Sequence, residues 1–460
     1  MKPASRHAAP DVLHLSDVLA ALSFALDLAE GQPMGHALRS GLIAQWIAER
    51  FDLPMRARRD LYFAALVKDA GCSSNAARVY QLFGGDDQVT KATLRRADTS
   101  SLARAALAMF SATLPGAPWV ARARRIAEMA RAGPREAVRL VELRCDRGAE
   151  IAAGLGLGDD VARAVRALEE HWDGRGQPHG LRGEDIPLLA RVLSLARTLE
   201  MYAVRDGVDA ALELVARRSG RWFDPRLVAA CAGIERPLAG WCALDTRGLR
   251  AAISEAEPGG AALLAGPPGV DRVAHHFSLV VDAKSPFTAA HSQRVADLAA
   301  RVAGEFGWDE REVRSLRRAA LLHDLGKLSV PNTILDKPGP LTPEEWRVMR
   351  RHAHYTEAIL DHIAGFEGFA FEAASHHERL DGRGYCRGIA GDDVPPVARV
   401  LAVADVYDAL RSSRPYRGAL EPEQVFAIME RHHAGSFDSE CLEALRGVVE
   451  GGGAGERAAA

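Results

Sequence analysis

The chain repeats itself. DGRGQPHGLRGEDIPLLARVLSLARTLE, residues 173–200, aligns without a gap to DGRGYCRGIAGDDVPPVARVLAVADVYD, residues 381–408, with 13 of 28 positions identical. Any fold for this sequence must accommodate two related units, and such repetition sets the architecture before single motifs are read. The same offset, 208, sets Arg144 against His352. An offset of 255 sets His36 against His291, and Lys68-Asp69-Ala70-Gly71-Cys72 against His323-Asp324-Leu325-Gly326-Lys327. The two offsets differ by 47, which requires an insertion between Cys72 and Arg144 in the first copy.

Apolar residues recur at three- and four-residue spacing in Ala-, Leu- and Arg-rich segments, while alternating strand-like runs are scarce. The pattern predicts an all-α protein. SEAEPGGAALLAGPPGV, residues 254–270, is rich in Pro and Gly that cannot continue a helix, and it separates segments of similar length. The expected organisation is therefore a first domain over 1–253, a linker over 254–270, a second domain over 271–450 and a flexible tail over 451–460.

Composition narrows the partners. A formal charge of −3 from 58 basic and 61 acidic residues gives no excess that would favour a nucleic-acid polymer or an anionic membrane. The six cysteines are scattered, with no CxxC pair, which fits free thiols in a reducing compartment. The N-terminal stretch MKPASRHAAPDVLHL lacks the apolar core of a signal peptide. No apolar run approaches the roughly 18 residues needed to span a bilayer. These features together predict a cytoplasmic protein.

The second half carries the chemistry. On REVRSLRRAALLHDLGK the apolar positions Val313, Leu316 and Ala320 lead at helical spacing to His323 and then Lys327, so these polar side chains end an inward-facing stripe. Asp324 lies beside His323, and on PPVARVLAVADVYDAL the inward positions Val397 and Leu401 lead to Asp405 and Asp408. A buried carboxylate without a partner costs several kcal/mol, and imidazoles gathered with it are most simply explained by a divalent metal that all of them bind. The set is His291, His323, Asp324, His352, His376, His377 and Asp405. Mixed imidazole and carboxylate donors suit iron, manganese, zinc or nickel better than calcium or magnesium. Seven donors exceed the needs of one ion and point to two ions bridged by a carboxylate, an arrangement that activates a water and holds a phosphoryl oxygen.

LLHDLGKLSVPNTILDKPGPLT, SHHERLDGRGYCRG and ARVLAVADVYDALRSSRPYR resemble the HD-GYP family of cyclic di-GMP phosphodiesterases, over roughly residues 272–448. The resemblance implies tandem HD-type helical bundles, with two divalent transition-metal ions, iron or manganese foremost, in the second. It implies one metal held by His291, His323, Asp324 and Asp405, and another by Asp324, His352, His376 and His377, with Asp324 as the bridge. It further implies that Lys327 assists at the scissile phosphate, that Arg414 and Arg417 hold phosphates or guanines of the ligand, and that Asp408 supports the ligands from behind. Cyclic di-GMP is then the expected partner, with a diguanylate cyclase or other signalling protein and a homodimer as further candidates.

Three positions depart from the family pattern. The loop reads Gly384-Tyr385-Cys386 where the family has Gly-Tyr-Pro, which frees φ at Cys386 and removes no expected ligand. Phe287 stands where members with three metals carry a glutamate, so two metals are expected. Thr356 replaces a glycine after the RRHAH histidine.

The first copy departs much further. Lys68, Arg144, Leu168, Glu169 and Arg197 replace His323, His352, His376, His377 and Asp405, and Cys72 replaces Lys327, leaving His36 and Asp69. The introduced bases repel a cation and are expected to pair with Asp69 or Glu169. This half is expected to be a non-catalytic scaffold or dimerisation domain or, on the sharper reading, a base-lined pocket that senses an anionic ligand. The second half is expected to hydrolyse cyclic di-GMP to the linear dinucleotide or GMP. The alternatives are another cyclic nucleotide as substrate, or a sensor that binds without turnover.

Overall fold

A computed structural model describes residues 13–96, 102–259, 264–363, 366–414, 417–432 and 435–458. Residues 260–263 of the expected linker and 459–460 of the expected tail lie outside the described residues. Two compact units divide between Leu264 and Ala265, one spanning His14–Leu264 and the other running on from Ala265. Both are built of helices. A two-residue strand pair, Leu13–His14 with Leu264–Ala265, is the β structure found among the described residues.

In the second unit, helix His291–Glu305 packs against Glu310–Leu322 and Pro396–Arg411. Its buried face is Val295, Ala299, Val302 and Ala303, an i, i+4, i+7, i+8 stripe of one helical face. Helix Glu310–Leu322 opens with a capping box, in which Asp309 accepts from the Glu312 amide and Glu312 accepts from the Asp309 amide. Thr342 and Glu345 repeat that device at helix Pro343–Leu360, whose Pro343 sits where its missing N–H is harmless.

The inward stripe predicted through His323 and Lys327 ends sooner than its periodicity suggests. The α-helix stops at Leu322, and Leu325–Ser329 forms a tighter 3₁₀ turn that packs on helix Pro343–Leu360. The cause is a backbone contact: a Cβ on Gly326 would lie 2.0 Å from the His352 carbonyl oxygen. Only glycine lets the two backbones meet so closely. Thr356 fastens the same contact, accepting from the Gly326 amide at 2.9 Å and donating to the His323 carbonyl at 2.9 Å. The unusual threonine is thus a clamp on the turn that presents Asp324.

The last described helix extends into the stretch expected to be a tail. Helix Ser439–Ala458 runs through Gly451–Gly453, carried on from a turn anchored by buried Cys441, Leu445 and Val448. Once a helix is nucleated, each further residue adds a backbone hydrogen bond.

The first unit repeats the plan. Helix His36–Arg50 packs against Met55–Val67 and Leu188–Asp206. A Cβ on Gly71 would lie 1.9 Å from the Arg144 carbonyl oxygen, matching the Gly326–His352 contact. The segment between Cys72 and Arg144 holds helices Ala76–Phe83, Asp87–Arg96, Leu102–Ala112, Trp119–Ala132 and the start of Pro134–Gly154. It has a small core of its own, where Val79, Phe83 and Ala112 pack with Met109, Met129 and Leu140.

Candidate metal centre

Five elements deliver the seven predicted donors to one buried place. His291 opens its helix, and His323 and Asp324 lie on the turn after Leu322. His352 projects from helix Pro343–Leu360, His376 and His377 from the 3₁₀ turn Ser375–His377, and Asp405 from helix Pro396–Arg411. His291, His323, Asp324, His352 and His376 are at most 2% exposed, while the His377 side chain is 22% exposed, so the site opens on the His377 side.

Asp324 is central. Its Oδ2 lies 3.7 Å from His291 Nε2 and 3.3 Å from His323 Nε2, and its Oδ1 lies 3.5 Å from His352 Nε2 and 3.7 Å from His376 Nε2. Donor atoms of His291, His323 and Asp324 fall within 4.8 Å of one another, as do those of His352, His376 and His377, and those of His323, His376 and Asp405. Asp405 Oδ1 lies 3.2 Å from His291 Nε2, and Asp405 Oδ2 lies 4.0 Å from His377 Nδ1.

Hydrogen bonds behind the site fix which nitrogen faces inward. The Nδ1–H groups of His323, His352 and His376 donate at 2.7 Å to the carbonyls of Ala320, Met349 and Ala373. His291 Nδ1 lies 2.7 Å from Asp408 Oδ2. All four rings therefore turn Nε2 toward Asp324 and its neighbours, the orientation that metal-binding histidines take when their other nitrogen is held from outside.

Electrostatics divides the donors: His352, His376 and His377 are held neutral, whereas, against burial, the carboxylates raise His291 and His323 and favour their protonated forms until a cation replaces the proton. Burial holds His352 down to about 4 and, with His352, holds His377 down to about 3. Burial and His377 keep His376 well below its usual range. These imidazoles are neutral at pH 7. Burial also acts against charge on His291, but Asp405 and Asp408 outweigh it and push His291 up to about 9. Burial opposes ionisation of Asp324 too, yet His323 and Lys327 hold its carboxyl well below the usual range.

The donors fit a cation. His352 Nε2 and His376 Nε2 face each other at 3.3 Å, and with both Nδ1 atoms donating elsewhere each presents a lone pair. A shared metal turns that repulsion into attraction. His291 Nε2, His323 Nε2 and Asp324 Oδ1 are likewise buried without a hydrogen-bond partner, which is costly for polar atoms unless an ion satisfies them.

The remaining predicted residues sit around this core. Lys327 Nζ pairs with Asp324 Oδ2, and its side chain is 16% exposed at the mouth. Tyr385 lies on His377, ring centres 4.6 Å apart, so the Gly384-Tyr385-Cys386 loop packs its aromatic ring against a donor. Cys386 is exposed and adopts φ 129°, a conformation that side-chain-bearing residues rarely take. Arg414 and Arg417 pair through their backbones at 2.8 and 3.2 Å. Arg417 differs from expectation: its guanidinium donates to the carbonyls of Ala409, Leu410 and Gly418, where it closes the end of helix Pro396–Arg411. The physical cause is the set of carbonyls that a helix end leaves without intrahelical partners.

Several supporting residues escape motif reading. Arg294 grips Asp408 with two hydrogen bonds, at 2.6 and 2.9 Å. Asp282 accepts from the Ser292 hydroxyl at 2.7 Å and so anchors the start of the His291 helix. Glu378 accepts from the amides of Arg387 and Gly388 at 2.6 and 3.2 Å, fixing the loop after the paired histidines. The repeat offers a signal for each, since Arg39, Asp27 and Glu170 occupy the matching places.

In the first unit the same frame holds different side chains. His36 Nδ1 pairs with Glu200, which Arg39 also holds at 2.7 Å, reproducing the His291–Asp408–Arg294 arrangement. Lys68 pairs with Asp69, and Arg144 and Arg197 both pair with Glu169. Glu30, Asp69 and Cys72 offer a three-donor group, but Lys91 approaches Glu30 at 3.7 Å and bonds the Cys72 carbonyl at 2.6 Å. Lysines occupy the place a cation would take.

Among the described residues, no helix is long and apolar enough to cross a membrane. A family model of the HD domain matches residues 124–227 and 277–441. The chain is 38% identical over 443 residues to 3′3′-cGAMP-specific phosphodiesterase 3 of Vibrio cholerae serotype O1, covering 95% of each chain. It resembles the crystal structure of a cyclic GMP-AMP-specific phosphodiesterase of V. cholerae, V-cGAP3, with a TM-score of 0.66 and 33% identity over 95% of this chain and 98% of that one. The cyclic di-GMP phosphodiesterase response regulator RpfG of Xanthomonas campestris pv. campestris is 41% identical over 160 residues, 34% of this chain and 42% of its own. Two HD-domain matches in one all-α chain, together with a phosphodiesterase relative 38% identical across 95% of both chains, make this protein a member of the HD-GYP family of phosphodiesterases.

Proposed function

We propose that the second unit hydrolyses a cyclic dinucleotide at a centre of two divalent transition-metal ions, iron or manganese, shared by Asp324. The observation that carries the reading is the orientation of four buried histidines, each held at Nδ1 from behind, so that Nε2 converges on both oxygens of one carboxylate. On this reading His291, His323, Asp324 and Asp405 hold one ion, and Asp324, His352, His376 and His377 hold the other. Such ions, when bound, supply a nucleophilic water and neutralise charge on the phosphoryl oxygens.

The chain's own groups do the rest. Lys327, beside Asp324 at the open side, donates to the scissile phosphate as negative charge develops on its oxygens. Asp408 and Arg294 hold the His291 ring in register. Arg414 offers the ligand a fork of donors matched to phosphate or guanine. Arg417 is paired with Arg414 through its backbone. The product is the linear dinucleotide or, after a second cut, GMP. The six free cysteines suit work in the cytoplasm.

Cyclic di-GMP is the substrate to which the motifs point, and RpfG is a relative of that name. A second reading, 3′3′-cGAMP, is favoured by the relative matched across both units, which is specific for it by name. Parallel turnover assays with both dinucleotides, using purified protein with Mn²⁺ or anaerobic Fe²⁺, decide between them. The expected result is metal-dependent release of linear product from at least one. No cleavage of either in the presence of bound metal would leave a sensor that binds without turnover.

A further inference from the structure

In the first unit a cavity of about 480 Å³ lies where the second unit gathers its donors. Its lining includes His36, Arg144, Glu169 and Arg197, the counterparts of His291, His352, His377 and Asp405. We propose that this cavity is a metal-free receptor site for a phosphorylated nucleotide. It concerns the first unit alone and is independent of which dinucleotide the second unit cleaves.

Charge is the first support. Arg144, Arg175, Arg197, Arg218 and Arg221 line the cavity, against the carboxylates of Glu169 and Asp173, in a chain whose net charge is −3. Glu169 is shared by Arg144 and Arg197 and balances one of them, so the wall keeps an excess of positive charge. Phosphate binding that rests on divalent ions in one copy can rest on guanidinium groups in the other, because both concentrate positive charge and arginine adds a planar fork of donors. Arg218 is held in place by its guanidinium lying 3.7 Å over Trp222, whose ring stacks on His171 at 4.2 Å. That stack makes a rigid wall.

A buried polar atom is the second support. His36 is 1% exposed, its Nε2 has no hydrogen-bond partner, and it lines the cavity. Asp69 Oδ2 lies 3.8 Å from this nitrogen and is engaged by Lys68, so a ligand hydroxyl reaching it would supply the missing partner.

The insertion supplies the third. Leu94, on helix Asp87–Arg96, lines the same cavity and comes from the stretch between Cys72 and Arg144 that holds the extra 47 residues, and Val141, on helix Pro134–Gly154, joins it from the counterpart of the His352 helix. With Met201 they add apolar side chains to a lining otherwise rich in arginine. A cavity lined by both guanidinium groups and apolar side chains suits a nucleotide, whose phosphate and base call for each, better than a bare inorganic anion. Hydrolysis is not expected there, since no cation site remains to activate water.

The test uses the full chain carrying Asp324→Asn, in EDTA, so that turnover is removed. Calorimetric titrations with cyclic di-GMP, 3′3′-cGAMP, GMP and inorganic phosphate are compared. At least one nucleotide should bind with one equivalent per chain in EDTA. Arg175→Glu combined with Arg221→Glu, two exposed rim positions that leave the buried pairs intact, should weaken that binding about tenfold or more. Arg414→Ala, in the second unit, should leave it unchanged. The proposal is overturned by no nucleotide binding at millimolar concentration, by binding insensitive to the Arg175/Arg221 pair while the circular dichroism spectrum is retained, or by phosphate binding as tightly as any nucleotide. A failure of hydrolysis in metal-loaded wild-type protein would bear on the second unit and leave this result standing.

Discussion

Asp408 Oδ2 lies 2.7 Å from His291 Nδ1, and the same carboxylate is gripped by Arg294 through two hydrogen bonds. The imidazole is thus held by a carboxylate that is itself held. Asp408→Ala should lower metal affinity or kcat about 10–100-fold, as loss of an orienting partner does at metal sites, with KM little changed. Metal titration beside steady-state kinetics checks this, and unchanged metal affinity would reduce Asp408 to a packing role.

Asp324→Asn removes the charge shared by four histidines and Lys327. Bound metal and turnover should fall together to background, with the helical circular dichroism spectrum preserved. Elemental analysis of the purified variant is the measurement, and full metal content with normal turnover would remove Asp324 as the bridge.

Arg414 and Arg417 should separate. Arg414→Ala is expected to raise KM more than it lowers kcat, because a binding charge is lost while the metal donors remain. Arg417→Ala strips donors from the Ala409 and Leu410 carbonyls at a helix end and from the Gly418 carbonyl, and should lower the unfolding midpoint, by about 1–2 kcal/mol in stability. Thermal denaturation and kinetics on both variants tell the two roles apart.

Cys386, at φ 129°, sits where glycine is at ease and where proline, fixed near −65°, does not fit. Cys386→Gly should keep activity and raise stability by about 1 kcal/mol through relief of backbone strain. Cys386→Pro must reshape the loop, and Tyr385 is drawn off His377 with it, so turnover should fall. Equal activity of both variants would show that the loop backbone has no influence on the site.

Glu372 supplies a pH dependence. Burial pushes its carboxyl from 4.5 up to about 7, so the folded chain binds a proton that the unfolded chain has already released between those values. Its contribution is fully favourable below about pH 4.5 and is lost as pH rises toward 7. Glu372→Gln should therefore stabilise the second unit at pH 8, on the order of 2–3 kcal/mol, and give no gain near pH 4. Denaturation midpoints across that range test the sign.

The convergence of the proposed donors was legible because it lies in side-chain identity and order: His376 beside His377, with Asp324 and Asp405, are brought to one buried place as the motifs suggest. The helical bundles were legible for the same reason, since stripes such as Val295-Ala299-Val302 need no knowledge of their partners. What periodicity missed depends on tertiary approach. It carried the helix past Leu322, whereas the close contact of Gly326 with the His352 carbonyl bends the chain into a tighter turn. It assigned Arg417 no structural task, because the carbonyls it closes are neighbours in space that a motif does not display. The Arg294–Asp408 grip was within reach, since the repeat offsets align it with Arg39 and Glu200.

Gly71 and Gly326 bring equivalent backbones equally close, one against Arg144 and the other against His352. Divergence between the copies has therefore been written on an unaltered backbone joint, at Lys68, Arg144, Leu168, Glu169 and Arg197. Five side chains, rather than a different topology, separate a place suited to metal ions from one lined with fixed organic cations. For protein engineering this makes the first unit a ready chassis: histidines at 68, 144, 168 and 169 and an aspartate at 197 would be set on a joint that already holds the required spacing.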